Sequence, residues 1–504
     1  MINKNTKLAF LAIFILFVIY NFLTLDRYPL PWFDEVTKAK MSVSYLTTGK
    51  LIKETDLGMY EGKEDLSYGP VYFILVANFI KWFGVNPLSV RILSFLSGLL
   101  AIFLFYKFCK SIQLSEKKSL IITSLFTLDT FYLYSLRNGR MDILCVSLAL
   151  MSFLLILKKN SSIQYYKYVL SGLLACLALL TSPRIAILLL PIFIVILIKY
   201  YKLRDFKIIT GLIVWCFTIL SGYSFWIFYK FGGIIEFYNF YNTPDLVRGS
   251  SFIATFLGGN LKLPFFLIPI FIFSLVCIAL FILNKSRGIN QTLIFYFSVF
   301  SLVLFYLLTH DTGVYSVYII ICYYLIIACA YKIFHQGIIR RIFGYGIVII
   351  FMINLALFSL KNFQVVLTWD QRNSSVADQF VKTYIPEDSK VMADLIYFYS
   401  VYNNNCEYKM INPYQSNISL ERNFNRYKFD YFILSNNTVK RGEDLSFFNK
   451  HFNLEKIGEL DLKAEEIPFK FLVEYGQWDR YATHRAYDYS GVIYKNLVNN
   501  DDIK

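Results

Sequence analysis

The chain reads as an α-helical integral membrane protein with about eleven transmembrane helices, one interfacial helix and a C-terminal extracytoplasmic α/β domain. Three observations predict this. Of 504 residues, 56% are hydrophobic and only 17% charged, with mean hydropathy +0.49; soluble domains carry about 25% charged residues. Apolar stretches of roughly 17–22 residues recur, each long enough to cross a hydrocarbon core of about 30 Å. The net charge of +15 is unevenly held: residues 1–360 contain 32 Lys+Arg and 15 Asp+Glu, residues 361–504 contain 18 and 20. A basic excess confined to the hydrophobic part is a sign of membrane topology. Disordered, collagen-like and small disulfide-scaffold classes are excluded, and so is a typical nucleic-acid binder.

The stretches fall at 8–25, 88–108, 119–135, 142–158, 165–181, 184–200, 208–229, 263–283, 291–308, 314–334 and 338–360. The first follows Lys4 and Lys7 and lacks a small-x-small cleavage site, so it reads as a retained anchor. Val71–Phe83 is apolar but short, follows Gly69-Pro70 and carries Lys81, which suits an interfacial or re-entrant helix. With that segment not spanning and the N-terminus cytoplasmic, the inner segments hold 18 Lys/Arg and two acids, Glu116 and Asp205. Letting it span would turn KYYKLRDFK outward, against the positive-inside rule. The expected protein is therefore integral to the plasma (inner) membrane, with domains at 1–360 and 361–504. Its outer face receives the loop 26–87, the link at 137–142, the turn 181–184, the loop 230–262, the His310-Asp311 turn and the tail.

In the tail, Ser374–Tyr384 has helical spacing with Asn373 or Ser374 as cap. Lys390–Ala393, Tyr431–Leu434 and Gly491–Tyr494 read as short strands bounded by polar turns. Seven of eight cysteines lie in apolar runs, where a thiol acts as a small hydrophobe, and no Cys/His metal spacing occurs.

The residues suited to chemistry lie on the outer face. Asp34 and Glu35, after Pro31-Trp32-Phe33, offer a general base with a neighbour that tunes it; the same pair also suits an ordinary helix start. Arg137, Arg140 and Asp142 crowd a short outer link, where positive residues are disfavoured. Arginines there suit an anion such as phosphate, or lipid headgroups. Asp129 falls inside the third stretch, and an ionisable residue there is a functional candidate by default. Arg91 opens the second stretch and is its candidate counter-ion. Arg184 and the pair His310-Asp311 are weaker: one reads as an anchor, the other as a capping or surface pair. A Gly-rich phosphate loop, an Asp-x-Asp pair, Gly-x-Ser-x-Gly and His-Glu-x-x-His are all absent. Two alternatives are a flippase or transporter of a lipid-linked glycan, which calls for more mid-membrane ionisable groups than Asp129, and a glycan polymerase or ligase of another membrane class, against which the early Asp34-Glu35 argues.

The order of these features resembles the polyprenyl-phosphate-sugar-dependent glycosyltransferases of the type-C membrane fold (GT-C). That group includes protein O-mannosyltransferases, aminoarabinose transferases of lipid A and galacturonosyltransferases of the lipopolysaccharide core. The resemblance is carried by Trp32 to about Leu157: Asp34-Glu35, then Tyr68-Gly69-Pro70-Val71-Tyr72, Arg91-Ile92 and Arg140-Met141-Asp142. It implies that Asp34 activates the acceptor beside Glu35, and that Arg91, Arg140 and Asp142 sit near the donor. Arg137 and Arg184 are further phosphate contacts on this reading, with Tyr68 and Tyr72 nearby. The chain departs from the pattern in two places. Gly69 replaces the first Pro of a Pro-Pro pair, and Thr181-Ser182-Pro183-Arg184 replaces a Thr-Lys-Gly. The resemblance implies a polyprenyl-phosphate sugar as donor, and an envelope lipid, glycan or protein as acceptor, among membrane lipids and without nucleic acid. No cofactor is assigned; a divalent metal is left open.

Overall fold

The computed structural model describes residues 4–53, 64–157, 165–241, 267–283, 287–309, 315–333, 337–411, 427–435, 448–462 and 488–497. His310 and Asp311 lie outside the described residues, as does most of the 230–262 loop. The described helices, in chain order, are α1 (Lys4–Leu23), α2 (Phe33–Thr48), α3 (Val71–Phe83), α4 (Pro87–Ser111), α5 (Glu116–Thr127) and α6 (Thr130–Arg137). There follow α7 (Asp142–Leu157), α8 (Tyr165–Leu179), α9 (Ala186–Leu203), α10 (Phe206–Phe231), α11 (Ile234–Tyr241) and α12 (Ile268–Leu283). The last are α13 (Ile289–Leu308), α14 (Val317–Ile333), α15 (Gly337–Leu367), α16 (Ser374–Tyr384) and α17 (Phe398–Asn403).

Every apolar stretch expected to span holds helix. Among the described residues, five helices are long and apolar enough to cross a membrane, or six if a bent pair counts as one span; the other expected spans hold shorter apolar helices. The bent pair corrects one expectation. The third stretch is not one helix but α5 and α6, meeting at 64°. Asp129 causes the break locally. Its Oδ1 accepts the Phe131 and Tyr132 backbone N–H groups at 3.0 and 3.1 Å, so it caps α6 and does not lie within a helix. Its Oδ2 accepts the Tyr324 hydroxyl at 3.1 Å, so its partner is not Arg91.

At about 1.5 Å per residue, α3 reaches only about 20 Å, short of a hydrocarbon core, and Gly84 ends it. α14 is apolar all round, and every residue from Val317 to Ala330 is buried. It runs through the bundle against α12, α13, α4, α5, α6 and α7. α10 and α15 turn large apolar side chains outward instead, among them Phe217, Phe225, Val348 and Met352. Such faces suit lipid.

The tail carries a five-stranded mixed sheet of β1 (Lys390–Ala393), β2 (Glu407–Met410), β3 (Tyr431–Ser435), β4 (Leu454–Leu460) and β5 (Gly491–Asn496). Their order is β2-β1-β3-β5-β4. β1 is parallel to both neighbours, while β5 is antiparallel to β3 and β4. α16 begins where expected, with Asn373 capping Ser375 N at 3.2 Å. The sequence reading omits β2 and β4. Both are edge strands, and Glu-Tyr-Lys-Met and Leu-Glu-Lys-Ile-Gly-Glu-Leu carry charges within the strand, so no apolar run marks them in the sequence. One hydrophobic cluster continues from the bundle into this sheet through Ile396, Tyr397 and Phe398.

Candidate active site

The site is built around the first turn of α2. Trp32 is extended and precedes the helix, which places Asp34 and Glu35 in its positively polarised first turn. Successive helix positions are about 100° apart, so the two acids face different partners. Glu35 turns inward to Arg91 on α4: Nε donates to Oε2 at 2.9 Å and Nη2 to Oε1 at 3.0 Å. The third arm of Arg91, Nη1, donates to the Leu25 carbonyl at 2.8 Å. The pair is completely buried. Tyr399, from α17 in the tail, donates its hydroxyl to Glu35 Oε1 at 3.0 Å. Burial pushes the Glu35 carboxyl up to about 7, against the opposing pull of Arg91 and the Tyr399 hydroxyl.

Asp34 faces the other way and retains 27% side-chain exposure. Arg140 Nη1 donates to its Oδ2 at 2.5 Å, while Arg140 Nε donates to Asp142 Oδ2 at 2.5 Å. Asp142 Oδ1 accepts the Tyr318 hydroxyl at 2.9 Å. One guanidinium therefore bridges two carboxylates and is fixed by one of them. Burial pushes Asp34 up, but Arg140, Lys38, Arg184 and Lys53 outweigh it and hold the carboxyl below its ordinary value.

The link carrying Arg140 is fixed from three sides. Trp32 Nε1 donates to the Asn138 carbonyl at 2.7 Å, Tyr72 hydroxyl to Gly139 O at 2.6 Å, and Ser94 hydroxyl to Arg140 O at 2.7 Å. Gly139 takes φ +62°, and a Cβ there would lie 3.0 Å from Glu35 Cγ, so the turn needs glycine. Across the site, Arg184 Nη1 donates to the Tyr68 hydroxyl at 2.7 Å. The Tyr315 ring receives Arg184 at 4.3 Å and Arg140 at 4.9 Å. Gly69 next to Tyr68 has a reason: a Cβ would sit 2.0 Å from the Leu180 carbonyl oxygen. A proline there would meet the same backbone.

Of the residues singled out in the sequence, Asp34, Arg140, Asp142, Arg184, Tyr68 and Tyr72 thus come together. Besides Asp129 at the α5–α6 break, three are placed elsewhere. Arg91 lies in the Glu35 pair, completely buried and with each nitrogen donating inward, so it does not face a ligand phosphate. Glu35, as its partner, faces away from the open side. Arg137 donates to Tyr28 O at 3.2 Å, Asn21 Oδ1 at 3.2 Å, and Thr24 O and Oγ1 at 2.6 Å, tying α6 to the end of α1. Lys38, Tyr315, Tyr318 and Tyr399 are the residues that sequence reasoning missed. Lys38 alone had a local signal, four positions after Asp34 and so on its helix face. Among the described residues no three His, Cys, Asp or Glu side chains converge as a metal site needs, and no step is derived through a metal.

Residues 67–226 match the family model described as dolichyl-phosphate-mannose-protein mannosyltransferase. No curated protein matches the chain. Among solved structures, ArnT from Cupriavidus metallidurans bound to undecaprenyl phosphate superposes with TM-score 0.60 at 12% identity, covering 99% of both chains. Its apo state gives 0.60 at 11% identity, with 98% of each chain covered. The archaeal oligosaccharyltransferase AglB from Archaeoglobus fulgidus, in complex with an inhibitory peptide and a dolichol-phosphate, gives 0.51 at 13% identity, covering 87% of this chain and 70% of its own. The chain thus has the fold of the type-C membrane glycosyltransferases, whose mannosyltransferase branch its segment 67–226 resembles.

Proposed function

We propose that the protein is an inverting membrane glycosyltransferase. It moves a sugar from a polyprenyl-phosphate donor to a hydroxyl of an envelope lipid, glycan or protein. The observation that carries this reading is the pairing of an accessible carboxylate, Asp34, with a guanidinium that Asp142 holds beside it. Asp34 takes the acceptor proton, the acceptor oxygen attacks the anomeric carbon, and the phosphate leaves toward Arg140 and Arg184. Fixed cations aimed at the leaving charge stabilise the transition state without reorganising. The same cations weaken Asp34 as a base in the resting site. An arriving phosphate compensates them and raises its basicity, which couples proton removal to donor binding.

In this reading the chain crosses the inner membrane eleven times, with α3 at the surface and the N-terminus cytoplasmic. Residues 361–504 form an extracytoplasmic domain that meets the buried side of α2 through Tyr399. Mass spectrometry of envelope lipids, glycans and proteins from a deletion strain tests the function. One acceptor class is expected to lack a sugar and regain it on complementation. An unchanged set of glycoconjugates contradicts the reading.

A further inference from the structure

Lys38 is the unexplained charge of the site. It lies one turn after Asp34 on α2, its residue is only 4% exposed, and it contributes to the field on Asp34. Among the described residues, its ammonium meets no hydrogen-bond acceptor or ion-pair partner. Nζ instead sits 4.2 Å from the centroid of the Tyr68 ring and 5.9 Å from that of Phe73. An ammonium on so buried a residue, with no protein acceptor, is expensive, and such groups are normally paired. Tyr68 is also the residue to which Arg184 donates. The ring therefore separates two cations, with the third, Arg140, held at Asp34.

We propose that Lys38 is a ligand of the donor phosphate, completing a three-cation cradle with Arg140 and Arg184. This rests on the glycosyltransferase reading above. In the transfer step the bond from the anomeric carbon to phosphate oxygen breaks, and its electron pair stays on that oxygen. The new bond forms from the acceptor oxygen, whose proton passes to Asp34. The phosphate therefore changes from a singly charged diester to a monoester carrying one more negative charge. Arg140 is already bound to two carboxylates, so the added charge falls to the cations without one, Lys38 and Arg184. Burial pushes the Lys38 ammonium down to about 8, which leaves it charged at neutral pH.

The test is binding of a short-chain polyprenyl monophosphate, the product, to the purified full chain, alongside thermal melting. Lys38→Met is expected to weaken binding about ten- to hundredfold, the scale of one lost charge-assisted hydrogen bond. Its Tm should be unchanged or raised, because an unpaired buried charge is removed; Lys38→Arg should retain most of the affinity. Undiminished affinity in Lys38→Met would overturn the proposal. So would a lowered Tm in both Lys38→Met and Lys38→Gln, which would assign the ammonium a structural task. If the unmodified protein fails to bind the monophosphate, the glycosyltransferase reading falls first and the Lys38 proposal with it.

Discussion

Asp34→Asn is expected to lower kcat for sugar transfer by about 10²–10⁴-fold, the usual contribution of a positioned base, while leaving the protein folded. The amide keeps the shape of the carboxylate and an oxygen to accept from Arg140, and Arg140 keeps its second partner, Asp142. Asp34 is also partly exposed, and the buried Arg140 stays paired with Asp142, so that guanidinium is not left uncompensated. What disappears is the acceptor for the substrate proton. Single-turnover transfer with a Tm on the same preparation separates the two effects, and turnover within a few-fold of the unmodified protein would remove Asp34 from this role. The pH profile carries the same information. The base acts ionised, and the surrounding cations hold Asp34 below its ordinary value. The free-enzyme profile, kcat/KM, should therefore show no Asp34 limb between pH 7 and about 4, the usual carboxylate value. Activity dependent on this group is lost only as the pH falls further.

Arg91→Met should act in the opposite manner, on stability first. The Glu35–Arg91 pair is wholly buried, and removing one partner of such a pair leaves an uncompensated charge, at about 3–5 kcal/mol. The loss extends beyond α2 and α4, because Glu35 also accepts from the Tyr399 hydroxyl and Arg91 also donates to the Leu25 carbonyl. The tail, α2, α4 and the end of α1 all meet there. The expected result is a much lower Tm or loss of folded protein from the membrane. The double variant Glu35→Leu with Arg91→Met should recover part of the stability, since an apolar pair of similar volume can replace a buried ion pair. An Arg91→Met protein of normal Tm but with selectively weakened donor binding would instead return Arg91 to the phosphate.

How much of this was legible in the sequence follows from which signals are local. The apolar helices were, because hydropathy is a property of consecutive residues. The break at Asp129 was not: the sequence placed an acid in a span, and only the backbone shows that it caps a new helix. Val71–Phe83 was readable as a short apolar helix, because Gly69-Pro70 and Gly84 bound it. The edge strands β2 and β4 were hidden by the charges that keep edges soluble, whereas β3, inside the sheet and buried throughout, stood out. In the site, Asp34 and Arg140-Met141-Asp142 announced themselves as acids and arginines where neither is expected. What could not be read was the division of labour among like charges. Arg91, Arg137, Arg140 and Arg184 look alike in sequence, yet two are turned inward to buried acceptors and two lie on the side of the open carboxylate. That difference rests on contacts with Leu25, Thr24, Tyr68 and Tyr315, none of them near in sequence to the arginine it engages. Tyr399 reaches Glu35 from 364 residues away, and no local pattern marks it.

The most direct test of a transferase at the Asp34 face uses the purified full chain in lipid vesicles with a sugar-labelled polyprenyl-phosphate donor and an envelope extract as acceptor. The expected result is label in a new glycoconjugate of inverted anomeric configuration, with stoichiometric release of polyprenyl phosphate. Movement of intact donor between leaflets, with the sugar–phosphate bond unbroken, would make the protein a flippase and contradict the account.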